Sequence, residues 1–198
     1  QLVYGDGYSY GAEFFVKKVV GKVNGWVGYT WSRTNRKFPD ISNGKEFPSR
    51  WDRRHDLSVV LSYDVNKRWN IGATFVYATG QAVTLAVNRY FVEGQLVSEY
   101  TSRNGYRMIP YHRLDLAATR YGRTSKILKD PVTGETTEIP KKFTSSWTFS
   151  VYNAYNRSNP YFIYYSADGN PAAGTFQVQA KQVSLFSILP SITWNFKF

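Results

Sequence analysis

The sequence predicts an all-β fold, an antiparallel transmembrane β-barrel or a part of one. The first observation is a strict period of two at the end of the chain, where apolar residues alternate with polar ones. The apolar set is Ile192, Trp194, Phe196 and Phe198, and the polar set is Thr193, Asn195 and Lys197. The second is an aromatic content of 18% in a chain with a mean hydropathy of -0.42, as expected when each strand faces lipid on one side and a wet lumen on the other. The third is that no apolar run approaches the roughly 20 residues of a transmembrane helix. Because backbone amides must be paired inside lipid, only a barrel could then cross a bilayer.

Charge and amino-acid usage limit the class of partner. The formal net charge of the 198 residues is +11, but the lysines and arginines are scattered over predicted loops and strand ends. This pattern argues against nucleic-acid binding and favours contact with anionic lipid head groups, or a lumen lined for an anionic solute. The absence of cysteine excludes disulfides and thiolate metal sites. The start at Gln1, without methionine or signal peptide, predicts a processed chain or a piece of a longer one.

The first half of the chain contains four predicted strands, over residues 8–19, 25–36, 53–65 and 68–79. Each places apolar side chains at every second position. These are Tyr8, Tyr10, Ala12, Phe14 and Val16; Val27, Tyr29 and Trp31; Leu57, Val59, Leu61 and Tyr63; and Trp69, Ile71, Ala73, Phe75 and Tyr77. Tight turns are predicted around residues 21–24 and at 66–67. Residues 37–52 contain two prolines and several Asp, Asn and Ser residues, so they are predicted to form a long loop.

The second half adds three strands. Residues 80–109 form a second long connection, with a small hairpin of its own that turns at Glu93-Gly94. The fifth strand spans 111–121, with Leu114, Leu116 and Ala118 on its apolar side. After a polar connection, the sixth begins near Thr144 and is predicted to continue past a kink at Asn159-Pro160 to residue 166. The loop 167–174 leads to the last strand, 182–198, where the apolar parity changes and predicts a bulge at Pro190.

The number of strands has a consequence for the whole fold. Closed bacterial barrels normally have an even number of strands, so that both termini lie on one side. Seven strands place the termini on opposite sides. A sheet with two unpaired edges is not viable in lipid, so the chain is predicted to be part of a barrel that it cannot close alone.

Seven segments then carry a resemblance that covers nearly the whole chain. They are SYGAEFFVKK at 9–18, GWVGYTWSR at 25–33, FPSRWDRRHDLSVV at 47–60, ATFVYATGQAVTL at 73–85, NGYRMIPYHRLDL at 104–116, WTFSVYNAYNRSNPYFIYY at 147–165 and LPSITWNFKF at 189–198. With these segments the sequence resembles the C-terminal part of the barrel of TonB-dependent outer-membrane receptors of the Bacteroidota type. DRRHDLS and VYNAYNR are the most specific of the motifs.

The resemblance implies a roughly 22-stranded barrel around a plug, of which this chain supplies the last seven strands. Its C-terminus would be periplasmic, and loops 37–52, 80–109 and 167–174 would lie outside the cell. The implied activity is import of a scarce nutrient across the outer membrane. The outer loops would capture the solute, and an inner-membrane motor would then displace the plug by pulling its N-terminus. The plug, the energy-coupling box and the first 15 or so strands are outside these residues, so transport would belong to the whole protein.

The implied partners follow from the same resemblance. They are the rest of the barrel and its plug, the TonB complex through that plug, outer-membrane lipid, the barrel-assembly machinery and a surface lipoprotein. The assembly machinery would recognise the aromatic end of the chain, Trp194, Phe196 and Phe198.

The densest polar cluster is the run DRRHD at residues 52–56. One interpretation is a solute contact or an extracellular gate, because paired arginines bind carboxylate or phosphate bidentately. The residues that would serve it are Asp52, Arg54 and Asp56, of which strand parity turns the last two inward. The other interpretation, which we favour, is a ladder of ion pairs at the strand ends with neighbours such as Glu13 and Arg113.

Aromatic residues also have two interpretations. We interpret Trp26, Trp31, Trp69, Trp147 and Trp194 as an aromatic girdle at the membrane interfaces rather than as a carbohydrate-stacking platform. Tyr90, Tyr100 and Tyr106 fall in a long outer loop and are candidates for solute contact.

No catalytic or metal chemistry is predicted. His55 and His112 are the only histidines, and neither has partners at the spacing of metal ligands, so we expect no metal and no cofactor. The chain contains no GxSxG, P-loop or HExxH motif, and an enzyme is therefore not expected.

Two other classes of protein remain open at this point. A small structural or scaffold outer-membrane barrel within a larger assembly would need an even strand count, supplied by the hairpin within 80–109 or by a separate strand at 161–166. It would place both termini on the same side. A basic soluble sandwich that binds polyanions is the third class.

Overall fold

The structure is a computed structural model that describes residues 3–93, 95–100, 102–129, 131, 134–169, 175 and 177–198. These residues form strands joined by turns and loops, with one short 3-10 turn at Ser42–Gly44. The strands are β1 (Asp6–Lys18), β2 (Val23–Lys37), β3 (Phe47–Pro48), β4 (His55–Asn66), β5 (Trp69–Ala78), β6 (Ala82–Val83), β7 (Ala86–Val92), β8 (Gln95–Tyr100), β9 (Tyr106–Arg107), β10 (Tyr111–Tyr121), β11 (Ser125–Lys129), β12 (Thr136–Pro140), β13 (Thr144–Tyr152), β14 (Phe162–Asp168), β15 (Gln177–Val183) and β16 (Leu189–Lys197).

One antiparallel sheet dominates the fold. Its seven long strands follow one another in the order β1-β2-β4-β5-β10-β13-β16, and the short β3 pairs with the end of β2. The all-β, antiparallel prediction is therefore confirmed. The first five long strands lie within two residues of their predicted bounds, because their alternating patterns end at clear turn residues. Asn66 forms one of these turns, with its Oδ1 accepting hydrogen bonds from the amides of Arg68 and Trp69.

The two ends of this sheet differ. The loop end consists of the connections 38–54, 79–110 and 153–188, and the turn end of the connections 19–22, 67–68 and 122–143. β1 begins at the loop end, where Asp6 is opposite Lys37, and β16 finishes at the turn end, where Lys197 is opposite Thr144. The first and last strands therefore start and finish at opposite ends of the sheet, as the odd number of long strands requires.

Register places the side chains on two chemically distinct faces. Cross-strand partners point to the same side of a sheet, so one row can be followed from strand to strand. On the apolar face, a middle row runs through Val16, Val27, Val59, Phe75 and Leu114. On the polar face, a row runs through Thr30, Asp56 and Ala78. The same face carries a contact between β10 and β13, where the hydroxyl oxygens of Thr119 and Thr148 are 3.0 Å apart. Trp26 departs from the girdle prediction, because its partners Lys17 and Val60 put it on the polar face, half-buried against Phe15.

The main sheet has neither a covered face nor a closed edge among the described residues. The buried apolar side chains of the described residues are Phe47, Ala78, Ala82 and Met108, which lie at the loop end and in its connections. Every residue of β1 and of β16 is exposed, and each of these strands pairs with one neighbour. Apolar side chains in the centre, such as Leu61 and Ile71, are almost half exposed. The sheet is therefore open at both edges and bare on its apolar face.

In the described part of the chain, no helix is long or apolar enough to span a membrane.

The connection 153–188 overturns three predictions. The sixth strand does not continue to residue 166 but ends at Tyr152, because Asn153 takes a left-handed backbone with φ of 54° and turns the chain away. Residues 162–168 instead form β14, which pairs with β15 in a separate ribbon. The last strand begins at Leu189 and contains no bulge, since Pro190 is opposite Val151 in continuous register. The change of parity arises because Val183 belongs to β15.

Two further ribbons project from the connections. The hairpin predicted within 80–109 is confirmed as β7 and β8, although Gly94 of its predicted turn lies outside the described residues. The connection 122–143 contains the hairpin β11–β12, which the sequence pattern does not predict. Of the predicted loop 167–174, residues 170–174 also lie outside the described part, and Asp168 closes β14.

Candidate functional site

The first two connections of the loop end are joined by a buried ion pair. Asp52 is 1% exposed, and its carboxylate accepts hydrogen bonds from the Arg107 guanidinium at 2.5 Å and from the Thr34 amide at 2.7 Å. The same guanidinium donates to the carbonyl oxygens of Asp52 at 2.6 Å and of Gly80 at 3.0 Å. Asp52 therefore connects β2, the connection 38–54 and the connection 79–110 through one set of charge-assisted hydrogen bonds.

Further contacts strengthen the same junction. The Asn104 side chain donates to the Pro48 carbonyl at 2.9 Å, and its backbone amide donates to the Thr84 hydroxyl at 2.9 Å. The short strands β6 and β9 pair directly above, with Ala82 opposite Arg107. Side-chain hydrogen bonds therefore join the first two connections, and the β6–β9 pairing braces the second connection internally.

The third connection is attached to the sheet by a buried amide. Asn153 has no exposed surface, and its backbone amide donates to the Asp115 carboxylate at 2.9 Å. Its side chain donates to the carbonyls of Arg157 at 2.9 Å and Phe186 at 3.3 Å and accepts from the Arg157 amide at 3.0 Å. Asn153 thus holds both ends of the connection 153–188 against β10.

Substitution of Asn153 by alanine is expected to loosen this connection by about 2–4 kcal/mol, because three backbone groups lose their bond to the buried Asn153 side chain and alanine disfavours a left-handed backbone. Hydrogen exchange of the amides in residues 153–161 measures the change. Asn156→Ala is the matched control, since Asn156 has the same φ of 54° but is exposed and accepts one bond, from Ile188. Equal loss of protection in both variants would contradict a role for the buried hydrogen bonds.

Two of the clefts at this end of the sheet lie beside Arg50. The first, of about 430 Å³, is formed between the first two connections; among its lining residues are Arg36, Phe38, Phe47, Arg50, Trp51 and Arg103. The second, of about 540 Å³, is lined among others by Arg53, Tyr111, Tyr161 and Phe162. Arg50 lines both clefts, so they lie on either side of one segment.

The first cleft is positively charged. Its lining contains three arginines and no carboxylate. Arg36, Arg50 and Arg103 form no ion pair within the described residues, whereas Arg53, Arg54, Arg107 and Arg113 each lie within 4.0 Å of an aspartate. Two of the unpaired guanidinium groups lie over aromatic rings, Arg50 at 5.7 Å from the Trp51 centroid and Arg103 at 5.9 Å from that of Phe47.

The charged side chains of the predicted polar cluster at residues 52–56 form ion pairs. Asp52 is buried against Arg107, with Arg54 4.0 Å away, and Asp56 lies 3.8 Å from Arg53. Ion pairs at strand ends are present, but the predicted neighbours are wrong. Arg113 pairs with Asp115 at 2.9 Å, and Glu13 lies opposite Thr30 in the β1–β2 register.

The predicted tyrosines lie apart from the two clefts. Tyr90 and Tyr100 belong to the β7–β8 ribbon and Tyr106 to β9, and each is about half exposed. None of them lines either cleft.

Four of the tryptophans lie on the apolar face in two rows, whereas Trp51 lies in the connection 38–54. At the turn end, Trp69 and Trp147 are both opposite Arg120, and Trp147 stacks on Trp194 with centroids 6.0 Å apart. Phe196 follows at 4.7 Å from Trp194, and Phe198 at 5.5 Å from Phe196. Nearer the loop end, the rings of Trp31 and Tyr10 pack edge to face with their centroids 5.8 Å apart.

The histidines contact tyrosines. His55 Nδ1 lies 2.8 Å from the Tyr29 hydroxyl, and His112 Nδ1 lies 2.7 Å from that of Tyr155. Burial raises the pKa of Tyr155 above its ordinary value, so its phenol stays neutral and can donate this bond. Within the described residues no three His, Cys, Asp or Glu side chains converge as metal ligands.

The residues of the first cleft were missed because they come from distant parts of the chain. Arg50 and Trp51 are adjacent in the motif FPSRWDRR, but Arg36 and Arg103 lie in other segments. The available signal is local: Arg36 and Arg50 have no acidic residue directly beside them in the sequence, unlike Arg53 beside Asp52.

Comparisons of the chain with protein-family models, with curated protein sequences and with solved structures found no match.

Proposed function

We propose that this chain is the C-terminal part of the barrel of a TonB-dependent outer-membrane transporter, in which it supplies barrel wall and extracellular loops. The observation that carries the proposal is the open sheet with a bare apolar face. A sheet of this size exposes unpaired backbone along β1 and β16 and large apolar side chains over one side. Such a surface needs further strands at both edges and lipid over its apolar face.

The dimensions and aromatic rows support a membrane position. The seven long strands contain between 9 and 15 residues, and about 9–11 tilted residues cross the hydrocarbon core. Trp69, Trp147 and Trp194 lie in one row at the turn end, where an aromatic belt would meet the inner interface. The polar face, with its serines, threonines and charged residues, would then line the lumen.

The topology supports the orientation. Transmembrane barrels of bacteria have short periplasmic turns and longer extracellular loops. The connections 19–22 and 67–68 would accordingly be periplasmic, together with the C-terminus and the hairpin β11–β12, and the loop end would be extracellular. Solute would be captured among the extracellular loops and would pass through the lumen after the plug of the whole protein is displaced. The chain's own part would be to hold the loops rigidly and to supply seven strands of the wall.

The scaffold alternative receives less support. A small barrel built from this chain alone would place both termini on the same side, whereas β1 begins and β16 finishes at opposite ends of the sheet. Neither β7–β8 nor β14–β15 pairs with the main sheet among the described residues.

The size of the native protein tests the proposal. We expect a band of roughly 90 to 120 kDa in outer membranes, the size implied by a plugged barrel of about 22 strands, with peptides from upstream of Gln1 as well as from this chain. Denaturing electrophoresis followed by mass spectrometry of the peptides measures this. A band near the 22.8 kDa of these residues would overturn the proposal.

A further inference from the structure

We propose that the first cleft binds a small organic anion, one that joins a carboxylate or phosphate group to a flat aromatic body. The proposal concerns the cleft between the connections 38–54 and 79–110, and it rests on the proposed function only in treating this anion as the transported solute.

The charge of the cleft indicates the anionic group. Arg36, Arg50 and Arg103 line it from three separate segments, and no carboxylate lines it or pairs with them in the described part of the chain. Arginine side chains present planar donor pairs that match the oxygens of carboxylate and phosphate. By contrast, Arg53, Arg54 and Arg107 each lie within 4.0 Å of an aspartate. The three unpaired cations therefore leave a positive site open to a ligand.

The walls of the cleft indicate the flat body. Phe38 stacks on Phe47 with ring planes 23° apart, and Trp51 is 69% exposed beside Arg50. An exposed tryptophan next to an unpaired arginine offers a stacking surface adjacent to a charge partner. The volume of the first cleft, about 430 Å³, is within the range of small-molecule sites.

The cleft is also held in shape before any ligand arrives. Asp52, next to Trp51 in the chain, is fixed by Arg107, and Asn104, next to Arg103, is bound to Pro48. These contacts restrain the backbone next to Trp51 and Arg103 on the two sides of the cleft, which reduces the ordering cost of binding.

The test is equilibrium dialysis of the full-length protein, purified from outer membranes in detergent, at about 0.15 M salt to screen unspecific attraction. The probes are 1-naphthyl phosphate, 1-naphthoate and the neutral 1-naphthol. We expect saturable binding of one or both anions, and at least tenfold weaker binding of 1-naphthol. The variants Arg50→Gln and Arg103→Gln should each weaken anion binding roughly ten- to a hundredfold, because each removes charge-assisted hydrogen bonds.

Two further variants separate the parts of the site. Arg123→Gln removes the same charge from an exposed residue at the turn end and should leave binding unchanged. Trp51→Leu should weaken binding of 1-naphthyl phosphate more than that of phenyl phosphate, because it removes the wider stacking surface.

Three outcomes would overturn the proposal: no saturable binding, equal losses in Arg50→Gln and Arg123→Gln, or displacement of the probes by phosphatidylglycerol vesicles, which would assign the cleft to lipid head groups. If the native protein has the expected full size but binds none of the probes, the proposed ligand is wrong and the transporter proposal still stands. If the native protein is near 22.8 kDa and binds the probes, the transporter proposal is wrong and the proposed anion site still stands.

Discussion

Replacement of Asp52 by alanine is expected to separate the first two connections of the loop end at a cost of about 3 kcal/mol. The substitution leaves the Arg107 guanidinium without its carboxylate partner, and removal of one member of a buried pair typically costs about 3–5 kcal/mol. The lower value applies because Arg107 itself keeps 28% of its side chain exposed. The Thr34 amide also loses its acceptor. Hydrogen exchange over residues 38–54 and 79–110 in the folded protein measures the change.

Asp56→Ala is the matched control for this prediction. Asp56 is paired with Arg53 at 3.8 Å, but both side chains are more than 40% exposed, so we expect a change below about 1 kcal/mol. A second check is the double variant Asp52→Ala, Arg107→Met, which removes the uncompensated charge and should recover part of the lost protection. Equal effects of Asp52→Ala and Asp56→Ala would contradict the buried pair as the main joint between the connections.

The second large effect is expected at Gly25, where alanine should prevent assembly of the main sheet. Gly25 has φ of 149°, and a β-carbon there would overlap the Val60 backbone carbonyl of the paired strand β4. The overlapping atoms belong to the backbone of β4 and cannot rotate away. The strands β2 and β4 would therefore have to separate at this point, and we expect the free energy of unfolding to fall by about 3 kcal/mol or more. The yield of folded protein, relative to that of the unsubstituted protein, measures the outcome.

Gly72→Ala provides the comparison. A β-carbon at Gly72 would meet the nearest atom, Cβ of Ala117, at 3.8 Å, which is an ordinary contact. This variant should therefore assemble normally. If both variants assemble equally well, close approach at Gly25 does not limit strand pairing.

The sequence predicts those parts of the fold that depend on local patterns. In β4 and β5, apolar residues alternate without interruption and Asn66 supplies the turn, so period and turn chemistry agree. The connection 153–188 was predicted wrongly because its shape depends on Asn153, whose partners Asp115 and Phe186 are distant in sequence. Its alternating stretch at 162–166 is a real strand, but periodicity does not say which strand it pairs with.

The candidate site was predictable only in part for the same reason. The run DRRHD marks a polar junction, and its location at the start of a long strand was correctly inferred from the pattern. The partner of Asp52 could not be inferred, because Arg107 approaches it from another connection. Likewise, Arg50 and Arg103 come together only through the packing of two loops whose internal patterns are irregular.

The order of the main sheet has a consequence for how the protein acquires its structure. Each long strand pairs with the next long strand of the chain, so every pairing step closes a loop of limited length and no earlier strand has to be displaced. The sheet can therefore grow by the addition of one long strand after another at a single free edge, where unpaired backbone groups bond to the next strand. Addition of β16, with its terminal aromatic residues, completes that growth for these residues and leaves one free backbone edge at the end of the sheet.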